Sequence, residues 1–156
     1  MTLGDFLQEK EFVDTIHGAL TNILLLLLKK GVPFSVVTDI TRVSFNPPLP
    51  EDIAKRFQPA TLFDIYGYTL TSAKIEKGML IFEAGFGENN FASFVNIPTG
   101  AVLQIFMDNN PLFINMSMEK TTNTPPAKKS ESKKENITRS LKVLLNNPKN
   151  KKLLKK

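Results

Sequence analysis

The side chains that most often perform chemistry are scarce in this chain. Cysteine is absent and histidine occurs once, as His17. That excludes disulfides, iron–sulfur clusters, thiolate zinc sites and cysteine nucleophiles, and it leaves too few ligands for an ordinary zinc centre. Among the carboxylates, Asp39, Asp64 and Glu83 fall in or beside segments rich in β-branched and aromatic residues. No nucleophile or metal ligand accompanies them, so they define no acid–base mechanism. Gly85-Phe86-Gly87 lacks the lysine and the long following helix of a phosphate loop. The expectation is a protein that is not an enzyme and needs neither metal nor cofactor.

What the chain has in excess is aromatic surface. Tyr66, Tyr68, Phe82, Phe86, Phe91 and Phe94 crowd two segments, more rings than one side of a small core requires. Tyr66, Tyr68 and Phe86 are expected to line a groove where an extended peptide lies against a sheet. Strand edges would satisfy the peptide backbone and the rings would contact its side chains. The glycines flanking Phe86 suit a place where another backbone comes close.

The elements that must position these rings begin with a helix. Phe6, Phe12, Val13, Ile16, Leu20, Ile23, Leu24 and Leu27 recur at steps of three and four, which predicts one helix over about residues 5–30. Gly31 and Pro33 stop it. Residues 23–28 are apolar all the way round, and a helix on the rim of a small domain buries only one side. Ile16, Leu20, Ile23, Leu24, Leu27 and Leu28 are therefore expected to form a homodimer interface. A membrane span needs about 20 apolar residues, so this run reads as a buried helix rather than an anchor. Asp5, Glu9 and Glu11 are unlike the start of a secretion signal, and a cytoplasmic protein with no membrane partner is expected.

Strand periodicity follows. Strands are expected over residues 34–41, 61–70, 79–86, 91–97 and 112–116, with a proline-rich link at 46–50 and a helical turn or two within 51–57. The 61–70 strand would place Leu62, Asp64, Tyr66 and Tyr68 on one face and Phe63, Ile65 and Gly67 on the other. Lys77-Gly78 and residues 87–90 read as hairpin loops, and residues 98–109 as a turn followed by a short helix. A helix before several short antiparallel strands implies a mainly β domain with a small, strongly bent sheet or barrel.

Charge divides the chain. Residues 1–116 hold 8 Lys and Arg against 12 Asp and Glu, a net −4, whereas residues 117–156 hold 12 against 3, a net +9, which together return the overall +5. The folded domain is assigned to 1–116. Residues 117–136 lack core formers and are expected to be a disordered linker. Residues 137–156 form a basic tail in which Leu141, Val143, Leu144 and Leu145 make an apolar island suited to docking.

In order and spacing, several segments resemble the SspB family, the stringent starvation protein B adaptors that deliver tagged substrates to the bacterial ClpXP protease. The similarity covers roughly residues 12–116. It is carried by the helix ending before Pro33, Phe34-Ser35-Val36-Val37-Thr38-Asp39, Arg56-Phe57 and Thr61-Leu62-Phe63-Asp64-Ile65. The most telling segments are Phe82-Glu83-Ala84-Gly85-Phe86-Gly87, Val95-Asn96-Ile97-Pro98 and Ala101-Val102-Leu103-Gln104-Ile105-Phe106. The resemblance implies an Sm-like barrel, dimeric through its N-terminal helix, with a groove for the ssrA degradation tag. It places that groove at Phe63, Ile65, Tyr66, Tyr68, Phe82, Ala84, Phe86 and Gly87. It also implies a tail motif that docks on the ClpX unfoldase, here Leu141, Lys142, Val143 and Leu144. Two departures are visible. Glu88 follows Phe86-Gly87 where the family has a second glycine, and a dozen residues follow the tail motif. The competing reading is an Sm-like protein that binds RNA or another polyanion through its basic tail. Against a specific nucleic-acid partner, the domain is acidic and the tail lacks aromatics for base stacking.

Overall fold

A computed structural model describes residues 1–118. The expected linker and the docking motif Leu141, Lys142, Val143 and Leu144 lie outside the described residues, apart from Ser117 and Met118. The chain divides into two compact units. Among the described residues one comprises Met1–Ile16 with Met116, Ser117 and Met118, and the other is His17–Asn115.

In the first unit, helix α1 (Leu3–Leu7) starts at a capping box, with the Thr2 hydroxyl accepting from the Asp5 N–H and the Asp5 carboxylate accepting from the Thr2 N–H. The chain breaks at Gln8 and Glu9 before α2 (Lys10–Lys30) begins, so the single helix expected from residue 5 is two. The Phe6 and Phe12 rings meet across this break with centroids 4.9 Å apart. In an unbroken helix six residues would separate them by about 9 Å along the axis, so their contact requires the interruption. The Met118 N–H donates to the Leu7 carbonyl at 2.8 Å.

In the second unit, α2 closes as expected at Gly31, whose φ is 62°, with the Val32 N–H reaching back to the Leu27 carbonyl. Leu20 and Leu24 are fully buried and Leu27 nearly so, whereas Leu25 and Leu26 are about half exposed. At three- and four-residue spacing the buried leucines form one stripe, and Leu25 and Leu26 project from the other side. Three of the six residues expected at a dimer interface are thus enclosed within a single chain. Ile16, Ile23 and Leu28 are half-buried. By length and composition α2 is sufficient to cross a membrane, a property shared by buried core helices and by signal sequences.

Two four-stranded antiparallel sheets follow. The first has the order β3 (Ala60–Ile65), β1 (Phe34–Asp39), β7 (Val102–Met107), β8 (Asn110–Ile114). The second has the order β2 (Ser44–Asn46), β6 (Phe91–Pro98), β5 (Met79–Phe86), β4 (Lys74–Glu76). Helix α3 (Glu51–Ala54) lies between β2 and β3, and α4 (Gly67–Ser72) between β3 and β4. Two chain segments pass from one sheet into the other. β1 continues into β2 through a 3-10 turn at Ile40–Arg42, and β6 continues into β7 through another at Thr99–Ala101. β1 pairs with β7 and β2 with β6, and the offset of Thr38 opposite Val102 is that of Ser44 opposite Asn96. Both segments therefore turn the same corner in register, and the sheets are halves of one bent surface.

Expectations for the strands change as well, beginning with Ser44–Asn46, which is a short strand where none was expected. Residues 102–107 form strand β7 where a short helix was expected. Val102, Gln104, Ile105 and Phe106 are all buried, so the strand is covered on both faces and lacks the alternation that identifies a half-exposed one. The strand expected over 61–70 ends at Ile65, because Gly67, at φ 55°, turns the chain into α4. Lys74–Glu76 is an additional short strand, joined to β5 by the Lys77-Gly78 turn at φ 50° and 74°.

The contrast along α2 is testable. Leu24→Ala should destabilise the protein by about 2–5 kcal/mol, whereas Leu26→Ala should stay within about 0.5 kcal/mol. Urea unfolding of the two variants beside the parent checks the difference. Equal losses would contradict the assignment of the buried stripe.

Candidate functional site

The site is built where two strand edges face each other. Among the described residues β3 pairs only with β1, and no strand lies along its other edge. β5 pairs with β6 along its whole length, but β4 covers its other edge only from Met79 to Ile81. From Phe82 to Phe86 that edge has no strand beside it among the described residues. A cleft of about 490 Å³ lies there, lined from β3, α4, β5 and the start of β6. Its size falls within the usual range for ligand sites, about 300–1,000 Å³.

Helix α4 occupies part of the β5 edge. The Ser72 hydroxyl accepts the Glu83 N–H at 2.9 Å and donates to the Thr69 carbonyl at 2.8 Å. Backbone groups alternate sides along a strand, so the N–H and C=O of Gly85 point the same way as those of Glu83. Gly85 is exposed on this edge, and a Cβ there would overlap the Asn90 side chain, which lies directly over it.

A chain of rings supports the cleft. Phe63 of β3 meets Phe82 of β5 at 5.8 Å, and Phe57 meets Phe63 at 6.1 Å. Phe86 packs edge-on against Phe45 at 5.7 Å and Phe57 at 6.1 Å, and Phe45 stacks on Phe57 at 5.6 Å. Aromatic contact thus links β3 to β5 where no backbone ladder does.

The expected groove residues take different places. Phe63, Tyr66, Tyr68, Phe82, Ala84 and Phe86 line the cleft, whereas Ile65 and Gly87 do not. Phe63 and Phe82 are buried and form its floor, and Phe86 is half-buried within the ring cluster. Ile65 is a core residue with no exposure. Gly87 belongs to the β5–β6 turn at φ 73°, where a Cβ would come 2.9 Å from the Ile53 side chain. The surface open to a ligand is chiefly Tyr66 and Tyr68, at 65% and 67% exposure. They stand at the beginning of α4, not on a strand face. Asp64, Gly67, Glu83 and Gly85, which lie within the two stretches expected to form the groove, also line the cleft, whereas Leu62, Thr69, Asn90 and Ala92 lie outside those stretches and were not anticipated. The partial alternation of 61–70 already placed Leu62 and Asp64 on the face opposite Phe63.

Tyr68 is anchored by its hydroxyl, which donates to Glu83 Oε2 at 2.9 Å. This bond, reinforced by the carboxylate's charge, raises the phenol above its ordinary value of 10.0. Among the described residues, no group of three or more His, Asp or Glu comes together to hold a metal ion. The arrangement offers an aromatic-edged slot beside two strand edges, with hydrogen-bonding groups along it. No protein-family model, curated protein or solved structure matches this chain.

The tyrosine bond has a spectroscopic signature. In a Tyr66→Phe chain Tyr68 is the sole tyrosine, and its ultraviolet titration should have a midpoint above 10.0. The bond's contribution is present below the unfolded phenol's value and is lost as pH rises through the folded one. Adding Glu83→Gln should lower the midpoint. No change on that substitution would place Tyr68 away from Glu83 in solution.

Proposed function

We propose that this chain is a divergent SspB-type adaptor, a non-enzymatic cytoplasmic protein that holds ssrA-type degradation tags and delivers their bearers to ClpXP. The observation that carries this reading is the cleft between the open edges of β3 and β5, bordered by exposed Tyr66 and Tyr68. An extended peptide entering it would gain backbone hydrogen bonds from strand edges and contact area from rings, the two requirements of peptide capture on a sheet. On this reading the two bent sheets are an Sm-like barrel opened between β3 and β5. The order of the resembling segments supports the same assignment, and the departures at Glu88 and in the tail accord with divergence.

Delivery needs a second contact. The apolar island with Leu141, Lys142, Val143 and Leu144 is the proposed ClpX-docking motif, so that the adaptor raises the local concentration of cargo at the unfoldase. A homodimer is proposed through the α2 face that displays Leu25 and Leu26, flanked by half-buried Ile23 and Leu28.

Fluorescence anisotropy with a labelled peptide ending in an ssrA tag tests capture. Binding in the micromolar range or tighter is expected, and Tyr66→Ala or Tyr68→Ala should each weaken it by about five-fold or more. These variants are better probes than Phe86→Ala, which would also remove packing against Phe45 and Phe57. Unchanged affinity in both tyrosine variants would exclude the cleft. Binding of RNA instead, falling steeply with salt, would favour the polyanion reading.

Replacing Leu141, Val143 and Leu144 by Ala together should leave tag binding intact and abolish stimulation of tagged-substrate degradation by ClpXP at limiting substrate. Stimulation equal to that of the parent chain would exclude the tether. Sedimentation should show a dimer that Leu26→Asp dissociates. A parent chain that is monomeric at micromolar concentration would exclude the interface.

A further inference from the structure

Glu83 has given its N–H to Ser72, so the next position of β5 whose backbone groups point to the same side is Gly85. Gly85 has no side chain, yet the space over it is filled. The β5–β6 turn ends at Asn90, whose φ is 51° and whose N–H donates to the Gly87 carbonyl at 3.1 Å. Asparagine tolerates this left-handed conformation better than most residues, and here it returns the side chain across β5. A Cβ built on Gly85 would fall on the Oδ1 and Cγ atoms of Asn90. The carboxamide of Asn90 therefore stands where β5 would otherwise carry a side chain. Asn90 is exposed and lines the cleft, so its amide presents a donor and an acceptor there.

Strands are matched through directly opposed side chains, whose Cβ atoms stand about 4.5–5.5 Å apart. A strand laid along Gly85 meets the Asn90 amide at that place, starting from the Cβ position itself. A hydroxyl one bond beyond the opposed Cβ spans most of the remaining gap to a hydrogen bond, which runs to about 3 Å. A methyl group at the same point leaves the amide facing an apolar atom. Resting on the peptide-capture reading above, we infer that Asn90 is a specificity-determining residue of the cleft, whose amide selects an extended peptide with Ser or Thr opposite Gly85 over one with Val or Ala. The turn supplies the side chain with which β5 reads that position.

The test uses the full chain and a labelled ssrA-tag peptide in which each position is replaced singly by Thr and by its isostere Val. Anisotropy should show one position where Thr binds about five-fold more tightly than Val, the worth of one ordinary hydrogen bond. Asn90→Gly removes the amide and accepts the positive φ without strain, and it should bring that ratio close to one. Gly85→Ala should do the same with Asn90 still present, because the new Cβ claims the space of the amide. Combining the two should lower the ratio no further. Absence of a Thr-over-Val preference at every position overturns the inference and leaves peptide capture standing. So does a ratio that Asn90→Gly leaves unmoved while all the peptides weaken alike, which would make Asn90 a turn residue only. A parent chain that binds no peptide of the series overturns both readings.

Discussion

Two chain segments are hydrogen-bonded to each other on both sides of a shared corner. β1 and β7 lie on one side of it and β2 and β6 on the other, and after a one-residue shift between Val37 and Thr38 the offset at Thr38 and Val102 is the one kept beyond the corner. A strand that bends alone loses its ladder, whereas two that bend together in register keep theirs and redirect everything attached to them. β3 extends this surface beyond β1, and β5 extends it beyond β6, so they occupy opposite margins. The bend nevertheless brings these margins close enough for Phe63 to touch Phe82. Rings hold the seam where hydrogen bonds would close a barrel, and among the described residues no strand lies beside Phe82–Phe86 on that side. The candidate site is a consequence of the corner.

Much of this was legible in the residues. Turn chemistry at Lys77-Gly78 and across residues 87–90 located both hairpins around β5 correctly, because positive φ demands a small set of residue types. Gly31 ended α2 for the same reason. β7 was not legible as a strand. Strand recognition rests on alternation, and a strand buried on both faces has none, so Val102-Leu103-Gln104-Ile105-Phe106 is equally compatible with a buried helix. The break before α2 was hidden because Phe6 and Phe12 fit a helical stripe, although their contact depends on the stripe being interrupted.

The candidate site was legible in composition more than in geometry. An excess of rings around residues 63–86 pointed to the region, and six of the eight expected side chains line the cleft. Their roles differ, however. Phe63, Phe82 and Phe86 are the seam, and only Tyr66 and Tyr68 project far into solvent. That distinction follows from Gly67, which turns the chain after the strand, leaving Tyr66 as the extended residue that precedes α4 and Tyr68 in its first turn. Asp64 and Glu83 were visible as carboxylates near strands, but only pairing and burial show that they lie on opposing walls of one cleft. The buried stripe of α2 was likewise a matter of phase. The helical period identifies a stripe, and the fold decides that Leu20, Leu24 and Leu27 face inward while Leu25 and Leu26 do not.

The central claim is that the open seam between β3 and β5 receives a peptide. Amide chemical-shift mapping of the full-length protein during titration with an ssrA-tag peptide measures this most directly. The account predicts that the largest perturbations fall on Ala60–Ile65, Tyr66 to Thr69 and Phe82–Phe86, with Gly85 among the strongest. Perturbations concentrated on β8 or on α2, or spectra unchanged at millimolar peptide, would contradict it.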